Sequence, residues 1–178
     1  LLVLSGAPVW IEQYFAAQGY LVAQPIPRDW YISRTFIPDS AIPSTGRLHS
    51  DINDMAKNLV DKGMADPDRV CVIGFLRGAY AAALAATGSP DAYRCVGTVN
   101  GYFDLDQLAR RTRERVKDDS YRVRFFEAQY GVDATDKGSL HEKSPFHRVG
   151  DRYTPTLLIY FKKSDKLLES QAKDFGQA

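Results

Sequence analysis

Residues 70–88 read VCVIGFLRGAYAAALAATG: a β-branched apolar run, a glycine, three residues, a second glycine, then a helix of small residues. An apolar strand that breaks at Gly74 and resumes as a helix around Gly78 describes a strand, a sharp turn and a helix. In such a turn the residue midway between the glycines is pushed out above the carboxyl end of a parallel sheet. Here that residue is Leu76. Small residues are needed two places before and two places after it, because the backbone folds too tightly for larger side chains. The central residue takes φ > 0, which costs a non-glycine residue on the order of 1–3 kcal/mol and survives only where the surroundings enforce it. The amides that open the helix point to the same spot, so the Arg77 N–H is a candidate oxyanion donor. Leu76 is not β-branched and can occupy the turn, but it carries no atom able to attack a carbonyl. A phosphate-binding loop needs Lys and then Ser or Thr after the last glycine, where Ala79-Tyr80 stand. A dinucleotide fingerprint needs three glycines at another spacing. From these residues alone, a tight turn without chemistry is an equal alternative.

Around this stretch, five runs are nearly continuous in apolar character: 1–6, 20–27, 69–75, 94–101 and 154–161. Such runs are expected of strands covered on both faces. Helical patterns separate them. WIEQYFAAQG (10–19) ends on Gly19 as a C-terminal cap. In HSDINDMAKNLVDKG (49–63), Ile52, Met55, Ala56, Leu59 and Val60 share one face, with Ser50 as expected N-cap and Gly63 as stop. Alternating strands and helices predict an α/β fold: a parallel sheet with right-handed crossovers and helices on both faces, in three layers. The interval 28–48, with two prolines and no period, reads as a long loop. Residues 104–150 form a mixed helical segment whose basic run RRTRER, close to Glu114, Asp118 and Asp119, reads as a solvated helix face.

A chain of 178 residues suits one domain, large enough to bury about 70% of its unfolded surface. No run approaches the roughly 18 apolar residues of a membrane helix, and a net charge of +1 offers no footprint for nucleic acid. No membrane or nucleic-acid partner is therefore expected. Cys71 and Cys95 lie in apolar runs without a CxxC partner and read as buried free thiols, not a zinc site. The chain opens LLVLSG without Met, so a segment truncated at both ends of a longer polypeptide is expected, with targeting undecided.

The stretch ADPDRVCVIGFLRGAYAAALAATGSPDAYRCVGTVNGYFDL (65–105) resembles the catalytic domain of the prolyl oligopeptidase family of serine peptidases, typified by D-P-x-R-[IV], a G-x-S-x-G-G-Y elbow and a later G-x-x-D-L. SPFHRVGDRYTPTLLIYFKKSDKLLESQAKDF (144–175) is similar to its S-P…P-T-L-L-I-H-G-x-x-D-x-x-V-P-x-x-Q-x-x-x-F segment, and SGAP (5–8) stands where the family has H-G-G-P. The resemblance implies a single α/β-hydrolase domain over 1–178, acyl-transfer chemistry without a cofactor, and short peptides or acyl compounds as substrates. Oxyanion donors would come from the backbone at Ala7 and Arg77. The edge left by a missing last strand would be covered either by another chain, as in a homo-oligomer, or by sequence outside this segment.

The departures from the family pattern fall on the chemistry. Leu76 replaces the elbow serine and Ala79 the second glycine. Ungapped matching through Leu167, Gln171 and Phe175 puts Ser164 at the family's aspartate, with Asp165 one residue late. The 13 residues after Asp165 contain no histidine, whereas the family's triad runs Ser, Asp, His along the chain. His49, His141 and His147 all precede Asp165 and read as surface or hydrogen-bonded residues. Three functions follow: an impaired or inactive peptidase-like domain, a non-catalytic peptide-binding or scaffolding module, or an enzyme with another nucleophile among Ser5, Ser164, Cys71 and Cys95. The last lacks any base partner in the sequence.

Overall fold

The structure is a computed structural model, described for residues 1–25, 47–116, 121–150, 154–162 and 165–178. The apolar runs become parallel strands β1 (Leu2–Ser5), β2 (Val22–Ala23), β3 (Cys71–Phe75), β4 (Cys95–Val99) and β5 (Thr156–Ile159), in the order β2-β1-β3-β4-β5. Between them lie α1 (Val9–Ala17), α2 (Leu48–Asp61), α3 (Arg77–Gly88), α4 (Leu105–Glu114), α5 (Tyr121–Tyr130) and α6 (Lys137–Glu142), and α7 (Lys166–Gln177) follows β5. The expected α/β fold is present. The long interval expected to be a loop falls almost wholly outside the described residues.

The strand order fixes the layers. The chain moves one way from β1 to β2 and the other way thereafter, so right-handed crossovers put α1 on one face and α2 and α3 on the opposite one. Helix α3 is the centre of that second layer. Its Ala81, Ala82, Leu84 and Ala85 are fully buried in one cluster with Val3 and Val72 of the sheet and Ile52 of α2. Small residues let the helix approach the sheet closely, which is why this helix is nearly all alanine. Helix α7 joins the same layer, where its Ala172 meets Ala83 and Phe103, and Phe175 stacks on Phe103 with ring centroids 4.4 Å apart. The other face is thinly covered beyond α1, and on β5 Leu157 is 62% and Ile159 44% exposed. The expectation that every strand is buried on both faces therefore fails for β5.

Three local expectations are corrected or refined. Helix α2 begins at Leu48 with Arg47 as its N-cap residue, and Ser50 sits in the first turn, where its hydroxyl donates to the Arg47 carbonyl at 2.8 Å. Gly63 does terminate that helix, at φ +68°, and Gly19 closes α1 in the same way. The cysteines are neither buried nor free. Cys71 and Cys95 are register partners on β3 and β4 and form a disulfide, with Cα atoms 4.7 Å apart. Both side chains point to the thinly covered face, with Cys95 exposed, and adjacent pairing there brings the sulfurs together.

Candidate functional site at the strand-to-helix elbow

Strand β3 runs into the turn with its ladder intact. The Leu76 N–H donates to the Val99 carbonyl at 2.8 Å, continuing the pairing with β4. The chain then reverses: Leu76 has φ 54° and ψ −115°, and its carbonyl accepts from the N–H groups of Ala79 and Tyr80 as α3 begins. The two glycines make this possible. A Cβ on Gly74 would lie 1.9 Å from the Gly78 carbonyl oxygen, and one on Gly78 would lie 2.1 Å from the Ser5 carbonyl oxygen. No side chain fits at either point. The bend leaves Leu76 64% exposed at its apex.

At the end of β1, Gly6 has φ +69°, and a Cβ there would stand 3.0 Å from the Phe75 carbonyl oxygen and 3.9 Å from the Gly78 nitrogen. The turn that carries Ala7 thus abuts the elbow, next to the start of α3 where Arg77 sits. Ser5 is 97% buried behind it, being only 3% exposed. Ser164 lies outside the described residues.

Asp165 is fully engaged. Its carboxylate accepts from the Tyr102 hydroxyl at 2.7 Å, from the Arg111 guanidinium, and from the Leu167 N–H at 2.9 Å as the N-cap of α7. Arg111 also donates to the Tyr102 hydroxyl at 3.0 Å and lies over its ring. The Arg111 guanidinium, helped by Tyr102 and the Leu167 amide, holds the carboxyl well below the usual carboxylate range against the opposing effect of burial. This cluster ties the loop after β4 and helix α4 to the start of α7. Tyr102 and Arg111 escape sequence reasoning because their partner is 63 and 54 residues away.

Above Leu76 opens a cleft of about 570 Å³, bounded by Asn100, Tyr102, Arg111 and Leu168 and closed by Phe126 and Tyr130 of α5. Asn100 is buried at φ 57°; its side chain accepts from the Phe161 N–H at 2.9 Å, and its N–H donates to the Ile159 carbonyl at 2.8 Å. The Asn100-Gly101 pair at a strand end is the sequence signal that marks this bend. Tyr130 meets Tyr80 edge to face at 5.0 Å, and burial pushes both hydroxyls well above their ordinary range, so both are neutral donors. Tyr80 donates to the Lys143 carbonyl at 2.9 Å.

None of the three histidines lines this cleft. His147 and His141 lie ring to ring at 4.0 Å on the segment from α6 onward, with His147 4.0 Å from Asp104, and His49 is on α2. The basic run of α4 is not a uniform solvated face either. Arg110 pairs with Asp106 along the helix, whereas Arg111 and Arg115 turn to the cleft.

The sequence model of the prolyl oligopeptidase family matches residues 7–175, nearly the whole chain. The chain belongs to the prolyl oligopeptidase family. Among characterised relatives of this family, dipeptidyl aminopeptidase BIII of Pseudoxanthomonas mexicana is 30% identical over 118 residues, which is 64% of this chain and 16% of that protein. In three dimensions the chain is similar to a puromycin-hydrolyzing peptidase of Mycobacterium tuberculosis (TM-score 0.69, 20% identity, 99% of this chain and 27% of that one). It is also similar to the acylaminoacyl peptidase of Pyrococcus horikoshii (TM-score 0.67, 18% identity, 98% and 30%). At these identities the two structures carry the fold alone, and the chain spans less than a third of each relative's length. The family's Q-x-x-x-F acquires a physical meaning here. Gln171, 2% exposed, accepts from the Phe103 and Asp104 N–H groups at 2.8 and 3.0 Å and donates to the Asp104 carbonyl at 2.8 Å, while Phe175 stacks on Phe103. The prolyl oligopeptidase motif thus fastens α7 to the loop leading out of β4.

Proposed function

We propose that this domain of the prolyl oligopeptidase family holds peptides in the cleft above the elbow and does not cleave them by the serine mechanism. The observation that carries this reading is the residue at the apex. In this reading Leu76, strained at φ 54° and 64% exposed, takes the place of the family's nucleophile, and an isobutyl group cannot attack a carbonyl. Removing the nucleophile leaves at best oxyanion stabilisation and binding, far below a working enzyme. The backbone amides of Ala7 and Arg77 would remain as donors to a peptide carbonyl, next to the start of α3. Asp165 has its charge committed to Arg111 and Tyr102, so in this reading it is a structural anchor and does not orient a base. An enzyme with another nucleophile is disfavoured by the burial of Ser5 and by the Cys71–Cys95 bond, which leaves neither sulfur as a thiol.

Incubation of the protein with a fluorophosphonate probe tests the reading. No serine is expected to be labelled, while an intact relative in the same tube is; labelling of any serine in this chain overturns the proposal. Leu76→Ser is expected to yield no measurable peptidase turnover from this domain, because none of its three histidines lines the cleft among the described residues.

A further inference from the structure

The cleft above Leu76 has an unusual electrical character. Four arginines line it, Arg77, Arg111, Arg115 and Arg122, and among the described residues no aspartate or glutamate does. They come from three elements: the first turn of α3 (Arg77), α4 with its C-cap (Arg111 and Arg115), and the first turn of α5 (Arg122). A single helix's periodicity therefore does not account for them. Nor does overall composition, since the chain carries a net charge of only +1. Arg111 is neutralised by Asp165, but Arg115 and Arg122 have no carboxylate partner among the described residues, and both are exposed. The positive end of the α3 dipole adds to the same field beside the elbow. Leu76, Phe125 and Phe126 supply apolar wall between the charges.

We propose that this cleft selects peptides bearing a carboxylate, with Arg115 and Arg122 as the recognising groups. The inference rests on the peptide-binding reading of the preceding section and names its ligand class. Planar guanidinium groups match a carboxylate with two parallel hydrogen bonds. A cleft with charged heads and an apolar floor suits an acidic residue flanked by apolar ones. Because the heads are exposed, the attraction weakens as salt rises.

The test measures binding of dye-labelled heptapeptides to the full-length protein by fluorescence anisotropy. One peptide has a central Glu with blocked ends, a second has Gln in its place, a third keeps Gln but has a free C-terminal carboxyl, and a fourth carries phosphoserine. The Glu peptide is expected to bind at least about tenfold tighter than its Gln counterpart, a preference that Arg115→Gln with Arg122→Gln removes while the Gln peptide is unaffected. Unchanged thermal melting of the double variant shows that it folds. Tight binding of the third peptide instead of the first also supports the carboxylate class and identifies its source as a chain end. Equal affinity for Glu and Gln peptides overturns the inference and leaves peptide binding standing. Binding of the phosphopeptide alone also overturns it. If no peptide binds, the functional reading falls first and the inference with it.

Discussion

At Gly78 the backbone of α3 presses on the backbone of β1, and the elbow depends on that contact. A methyl group there would have to share space with the Ser5 carbonyl at 2.1 Å, a collision with main chain that no rotamer relieves. Gly78→Ala is therefore expected to cost about 3 kcal/mol or more of stability, read as a lower urea midpoint. The same substitution at Gly63, where nothing lies within 4 Å, would suffer only from the positive φ, a smaller loss. This is the scale at which the sequence is most legible. Two glycines four residues apart after a β-branched run are a local requirement of a tight turn, and they identify Leu76 as its apex without knowledge of the rest. The cysteines show the opposite case. Nothing local to Cys71 or Cys95 signals a bond, because their meeting depends on which strands are neighbours and in what register.

At the scale of the element, α7 is held at its start by Asp165 and in its middle by Gln171. The carboxyl of Asp165 is depressed in the folded state, so it contributes stability that is fully present above the unfolded value near pH 3.9 and is lost as pH falls through the lower folded value. Asp165→Asn keeps an oxygen for the Leu167 amide but leaves Arg111 without its counter-charge. The variant is expected to be about 2 kcal/mol less stable than the parent at pH 7, with the difference shrinking below about pH 4, in thermal melts run across the range. The family pattern made Gln171 and Phe175 recognisable in the sequence, but not why they are needed. Their partners, Phe103 and Asp104, belong to a segment about 70 residues earlier. Likewise RRTRER reads as a charged helix face, and only the packing of α4 against the start of α7 separates Arg111 from its neighbours.

For the molecule as a whole, the sheet is unequally dressed. Helices α2, α3 and α7 cover one face, whereas on the other Leu157 and Ile159 of β5 stand open to solvent together with Phe161, 58% exposed. An apolar surface of this kind binds fluorescent hydrophobic dyes and favours self-association. Replacing Leu157 and Ile159 by Thr is expected to lower dye fluorescence and, in size-exclusion chromatography, to move any associated species toward monomer, without a fall in melting temperature. Continuous apolar character cannot distinguish a strand buried on both sides from one left half bare, so this asymmetry was outside the reach of the sequence. The Cys71–Cys95 bond lies on that same side, where small reductants can reach it. It staples the strand that leads into the elbow to the strand beside it. The state of that bond thus follows the thiol content of the surroundings: a milieu poor in glutathione keeps the staple shut, and a rich one parts it into two sulfhydryls.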